Sequence, residues 1–196
     1  MKKILLLLAI IVVGGWGVIS SGILGDTHVD AEVGGPFTLT DQNGKTVNDH
    51  DFRGKVMLVF FGFTSCPDLC PTTLLLMSQT VEQLKADAAK VAPIFVTVDP
   101  EHDTPAQMKT FLANFNPAII GLTGTQKQID DLKAGYKVYA EKVEAPKGED
   151  KNAPSGQTFD HSGYMYLMDK HGKFVTAFGP DTTPQTIAEK IRENLE

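Results

Sequence analysis

Cysteine is scarce in this chain: Cys66 and Cys70 are the only two among 196 residues. A scaffold stapled by several disulfides is thereby excluded, as is a four-cysteine zinc or iron–sulfur site within one chain. Basic charge is also short, with 18 lysines and arginines against 24 acids and a net charge of −6. With Lys2 and Lys3 set aside, 16 bases remain against the same 24 acids. No basic or aromatic–basic stretch offsets that deficit, which excludes nucleic acid as a partner. Internal repeats and low-complexity tracts are missing too. At 42% hydrophobic and 21% charged, the chain is neither disordered nor fibrous. The chain beyond residue 24 is long enough for one ordinary domain with a core.

The long apolar run lies at the start. Residues 4–24 (ILLLLAIIVVGGWGVISSGIL) follow Met1-Lys2-Lys3 and carry no charge. As a helix rising ~1.5 Å per residue they reach about 31 Å, the thickness of a bilayer's hydrocarbon core. The two lysines before the run and Asp26 after it orient its start inward. A cleaved signal peptide is the competing reading, because Ile4 to Val13 has the length of such a segment. No Ala-x-Ala site comes after it, and no cysteine near residue 20 offers a lipoprotein attachment point. The lack of an Arg- and Ser-rich leader favours a bacterial protein over organelle import. The sequence therefore predicts an anchor over 1–25, a tether over 26–35 and an exported domain over 36–196. That domain would face the periplasm from the inner membrane, an oxidising space.

The remainder has an α/β rhythm. Pro36–Thr40 and Lys45–Val47 flank Asn43-Gly44 as a β-hairpin with a primed turn. Val56 to Phe63 is a near-continuous apolar run, expected of a buried central strand. Pro71 to about Ala89 has helical spacing, and Ile94–Val98 is the next strand. Thr104-Pro105 with Gln107, and Thr125 with Gln128, mark two helix starts. Short strands are expected at Ile119–Leu122 and Val138–Val143, and residues 144–157 read as a mobile surface loop. Tyr164–Met168 and Phe174–Phe178 form a second hairpin, and Thr183-Pro184 opens the closing helix. This order predicts an α/β, thioredoxin-like fold with an N-terminal β-hairpin and helices on both faces of the sheet, preceded by one transmembrane helix.

The chemistry concentrates in Phe63-Thr64-Ser65-Cys66-Pro67-Asp68-Leu69-Cys70-Pro71, where the buried strand gives way to a helix. That places both sulfurs at the carboxyl edge of the sheet. On one helix, residues four apart share a face with Cα atoms roughly 6 Å apart, close enough for a disulfide or for two thiolates on one metal. The helix amino terminus is expected to lower the pKa of the nearer thiol. Inert core cysteines or a structural staple are the plain alternatives, but a staple closing so few residues stabilises little. Two sulfurs do not fill a zinc site, whereas they suit copper with histidine as a third donor.

His28, His50, His102 and His171 lie in tether, loop, helix-start and turn contexts that read as solvated. His161, in FDHSGYMYLMD at a strand entrance, is the candidate ligand, against the ordinary alternative of a hydrogen-bonded strand-end histidine. Met165 and Met168 suggest thioether donors, but in an alternating strand one reads as core and the other as a packing neighbour. Asp99, ending IFVTVDP, either supports the cysteine helix or the histidine, or simply caps the adjacent turn.

The segments GGPFTLTDQNGKTV, FRGK, LVFFGFTSCPDLCPTTL, VDPEHDTP, GLTGT, YKVY and DHSGYMYLMD run from about Gly34 onward. Together they resemble the Sco/SenC family of membrane-tethered copper proteins that help assemble cytochrome c oxidase. The resemblance implies one Cu(I) or Cu(II) per domain, bound by Cys66, Cys70 and His161. It further implies delivery of copper toward cytochrome c oxidase subunit II, from a donor the sequence does not name. Asp99 and Asp160 are candidate supporting carboxylates from their positions in the chain, not from the resemblance. This chain departs from the family pattern at His102, where arginine is usual, and at Ser65, where a bulkier residue is common.

The enzyme alternative is a thiol–disulfide reductase acting on periplasmic proteins, although thioredoxin-type enzymes use CxxC and this chain has three spacer residues. A peroxiredoxin-type peroxidase shares the FxLxD start of Phe37–Asp41, but here Thr64 and Cys66 are too close together for the Thr-x-x-Cys nucleophile site.

Overall fold

The computed structural model describes residues 33–144, 157–161 and 163–195. The expected anchor, the tether up to residue 32 and the loop over 145–156 lie outside the described residues. Among the described residues no helix is long and apolar enough to cross a membrane.

In chain order the elements are β1 (Thr38–Asp41), β2 (Thr46–Asn48), β3 (Val56–Gly62), α1 (Leu69–Leu84), β4 (Val91–Thr97), α2 (Pro105–Leu112) and β5 (Ile120–Thr123). Next come α3 (Gln126–Tyr136), β6 (Ala140–Glu144), β7 (Gln157–His161), β8 (Met165–Met168), β9 (Phe174–Phe178) and α4 (Pro184–Arg192). Seven strands form one sheet in the order β2-β1-β5-β4-β3-β8-β9, while β6 and β7 pair as a separate ribbon. β3, β4 and β5 run parallel. β1 and β8 flank them antiparallel.

Every residue of β3 and β4 is buried, as the continuous apolar run requires. Alternation along β3 sends neighbouring rings to opposite faces. Phe60 stacks on Phe95 at 5.8 Å, and Phe95 meets Phe111 of α2 at 5.9 Å. Phe61 packs instead on Tyr136 of α3 at 5.2 Å and edge-on to Tyr166 of β8. Helices therefore cover both faces of the sheet, as predicted. Met165 and Met168 are both fully buried, so both are core where one core residue and one packing neighbour were expected.

Three local expectations are corrected. The first hairpin does not use a two-residue primed turn. Only Gly44 has positive φ, at 82°, whereas type I′ needs it at both central residues and type II′ at the first, Asn43. The Asp41 carboxylate instead accepts from the amides of Asn43 (2.8 Å) and Lys45 (2.9 Å), bending the chain so that Gly44 alone turns left-handed. Helix α1 begins at Leu69, not Pro71, and gives way at Lys85 to a 3-10 stretch reaching Lys90. Strand β4 starts at Val91 and so includes Pro93, which is tolerated because pairing with β5 begins only at Ile94.

Candidate metal centre

β3 ends at Gly62, and residues 63–68 turn the chain into α1. Cys66 lies in this turn and Cys70 in the first turn of the helix, so the two do not share one helix face. The residue before a proline is steered away from helical backbone, and Pro67 thereby keeps Cys66 out of α1. The sulfurs converge nonetheless: the Cys70 N–H donates to the Cys66 Sγ at 3.4 Å. Both are free thiols, Cys66 9% exposed and Cys70 fully buried.

The expected effect of the helix terminus on thiol acidity is reversed at Cys70. Its hydrogen bond to the Cys66 sulfur, then burial, then repulsion by Cys66 hold its pKa well above the usual thiol range. A bond accepted from the Phe63 backbone opposes this and is outweighed. Cys70 is thus the proton-bearing partner of the pair.

A buried polar network fixes the turn. The Asp103 carboxylate, 1% exposed, accepts from the Thr64 amide (3.0 Å), the Thr64 hydroxyl and the Thr97 hydroxyl (2.6 Å). Thr97 in turn accepts from the Asp99 amide at 2.9 Å. One carboxylate therefore clamps the segment leading to Cys66 onto the end of β4. Its burial pushes Asp103 up from the ordinary aspartate value, against the lowering effect of its three bonds. Sequence reading missed Asp103 altogether. An aspartate next to the N-cap Thr104 looks like a solvated turn residue, and its partner lies 39 positions away.

Asp99 is buried, and its carboxylate grips the Nδ1 of His102 at 2.8 Å. The histidine it orients is His102, whose side chain is 67% exposed. Ligand atoms of Asp99, Glu101 and His102 lie within 4.8 Å of one another.

His161 is the last residue of β7, opposite Ala140, and Asp160 pairs with Glu141 one step earlier. It thus closes a separate ribbon rather than opening β8. Two residues on, the chain touches α1: a Cβ at Gly163 would lie 3.0 Å from the Leu69 side chain. Leu69 adjoins Cys70, and two residues span at most ~7 Å, so the His161 backbone runs close to the first turn of α1.

A family model described as SCO1/SenC matches residues 25–196. A SCO2-like protein of Rickettsia felis is 39% identical over 165 residues, covering 84% of this chain and 78% of its own. Among solved structures, copper-bound ScoI of Bradyrhizobium japonicum is 44% identical with a TM-score of 0.74, over 83% of this chain and 99% of that one. BsSco is a member of the Sco family of cytochrome c oxidase assembly proteins in which a disulfide switch has been identified. It is 28% identical with a TM-score of 0.63, over 84% and 94% of the two chains.

Proposed function

Because the chain belongs to the SCO1/SenC family, we propose that it is a copper chaperone of cytochrome c oxidase assembly. In this reading it holds one copper ion through Cys66, Cys70 and His161 and passes it toward the copper centre of subunit II. Residues 4–24 anchor it in the bacterial inner membrane with the domain in the periplasm, and Asp99 and Asp160 support the ligand set. The carrying observation is the convergence of two free thiols, Cys70 N–H on Cys66 Sγ at 3.4 Å, at the carboxyl edge of the central strands. Two thiolates and one Cu(I) give the site core a net charge of −1. A neutral imidazole completes a soft ligand set without adding charge, which suits reversible holding. The copper-bound relative of 44% identity supports the choice of metal.

Competition with a Cu(I) chelator tests this on wild type, Cys66→Ser, His161→Ala and His102→Ala, each fully reduced. Cys66→Ser is expected to abolish retention. His161→Ala is expected to weaken it by at least ~10–100-fold, the usual cost of even an indirect change around a metal. His102→Ala is expected to change little. Wild-type affinity in His161→Ala together with loss in His102→Ala would move the third ligand to His102. The same assay on disulfide-oxidised protein is expected to show no uptake, because the bond removes both thiolates.

Thiol–disulfide reduction of exported proteins is the second reading, favoured by the disulfide switch of BsSco. Fast dithiol turnover on protein disulfides with no Cu(I) retention would select it.

A further inference from the structure

We propose that Gly62 is a positioning residue of the dithiol: its missing side chain is the seat of the Cys70 sulfur. The inference deepens the copper reading above and also applies to the dithiol without metal. Gly62 is the last residue of β3, on the same face as Phe60. A Cβ placed there would stand 2.6 Å from the Cys70 Sγ, 2.9 Å from the Phe95 ring and 3.2 Å from the Phe60 ring. Something must therefore move if the position carries a methyl group.

The rings are poorly able to yield. Phe95 is fully buried and held between Phe60 at 5.8 Å and Phe111 at 5.9 Å. The sulfur makes the shortest of these contacts, and it can relieve it only by rotating about one bond. Cys70 sits in the first turn of α1 with no exposed surface, where few rotamers are open to it. A glycine inside a strand marks a place where another group comes unusually close, and here that group is a reactive sulfur. The strand supplies the seat and the helix supplies the occupant. The Cys70 position relative to Cys66 is thereby set by β3 as well as by α1.

Gly121 provides an internal control. It lies on β5, and a Cβ there would stand 2.5 Å from the Leu112 side-chain end and 2.9 Å from the Met108 methyl, similarly short contacts with no thiol involved. If Gly62 served packing alone, Gly62→Ala and Gly121→Ala would behave alike.

The first measurement is the dithiol–disulfide equilibrium of metal-free protein against dithiothreitol. Two protein thiols lose two electrons and two protons to form one S–S bond, while the S–S bond of the oxidised reagent takes them up and opens to two thiols. Gly62→Ala is expected to shift this equilibrium at least tenfold, about 30 mV for a two-electron couple, because the added methyl displaces the Cys70 sulfur from the seat it holds in the reduced protein. Its Cu(I) affinity in chelator competition is expected to fall at least tenfold. Gly121→Ala is expected to shift neither. The second measurement is thermal unfolding of reduced wild type, Gly62→Ala, Cys70→Ala and the double variant. Gly62→Ala is expected to lower Tm by at least ~3 °C less in the Cys70→Ala background, where the clash has been removed. If Gly62→Ala does not fold alone, recovery of folding in the double variant carries the same conclusion.

An unshifted equilibrium in Gly62→Ala, equal shifts in Gly121→Ala, or additive Tm losses would each overturn the proposal. If wild type retains no Cu(I), the copper reading falls, while the equilibrium and the unfolding cycle still decide the role of Gly62.

Discussion

Cys70 retains its proton because the Cys66 sulfur and a dry surrounding both disfavour its ionised form. Copper needs that thiolate, so binding has to displace the proton. The apparent Cu(I) affinity is therefore expected to rise by at least about tenfold per pH unit between pH 6 and 8, as release of one or more protons per metal dictates. Chelator competition across that range checks it, and a flat profile would show that Cys70 is not a ligand. Asp103 acts at the same scale by a different means. Asp103→Ala strands the buried Thr97 hydroxyl and the Thr64 amide without their acceptor. A loss of about 2–3 kcal/mol is expected in urea unfolding, with faster alkylation of Cys66 as the turn loosens. A loss below ~1 kcal/mol with unchanged alkylation would mean the turn holds its shape without the clamp.

Two hairpins of the domain are closed by the same device. Asp41-Gln42-Asn43-Gly44-Lys45 and Asp169-Lys170-His171-Gly172-Lys173 each put an aspartate carboxylate under the amides two and four residues on. Each then turns at a glycine of positive φ, 82° at Gly44 and 76° at Gly172. Gly44 has open space around it, so Gly44→Ala isolates the backbone contribution. A cost of about 1–2 kcal/mol is expected from urea unfolding, the usual penalty for a side chain in the left-handed region. A change under ~0.3 kcal/mol would mean the turn re-forms without that conformation. The helix starts are equally local: Thr104, Thr125 and Thr183 each accept a bond from the backbone three residues ahead. At Thr125 the Gln128 side chain closes the reciprocal half.

Among the described residues, two buried groups that ordinarily titrate in alkali have raised pKa values, Cys70 by the Cys66 hydrogen bond and burial, and Tyr136 by burial. Each favours the folded state while protonated. Their contribution is complete below the unfolded-state values, ~8.5 for a thiol and ~10 for a phenol, and is lost as pH rises beyond them. Reduced protein is thus expected to weaken from about pH 8.5 upward, approaching ~1.4 kcal/mol per pH unit. Disulfide-oxidised protein has no thiol to titrate, so its decline begins nearer pH ~10. Urea unfolding of both redox forms from pH 7 to about 10.5 measures the gap. Equal alkaline profiles would show that Cys70 is not held protonated by the fold.

The linear chain by itself determined the α/β order, the doubly buried β3, the starts of α2, α3 and α4, and the location of both sulfurs where a strand meets a helix. These obey short-range rules: side-chain periodicity, capping chemistry, and glycine or proline at turns. It also displayed the family motifs from Gly34 onward. Tertiary structure decided what depends on residues distant in sequence. Pro67 keeps Cys66 out of α1, yet only the folded turn shows the Cys70 amide reaching its sulfur. Asp103 meets Thr64 across 39 positions, and Gly62 on β3 makes room for a sulfur on α1. The acidic thiol expected from the helix dipole is not found at Cys70 for the same reason. A helix terminus is visible in sequence, whereas burial and a neighbouring sulfur, which outweigh it, exist only once the chain has packed.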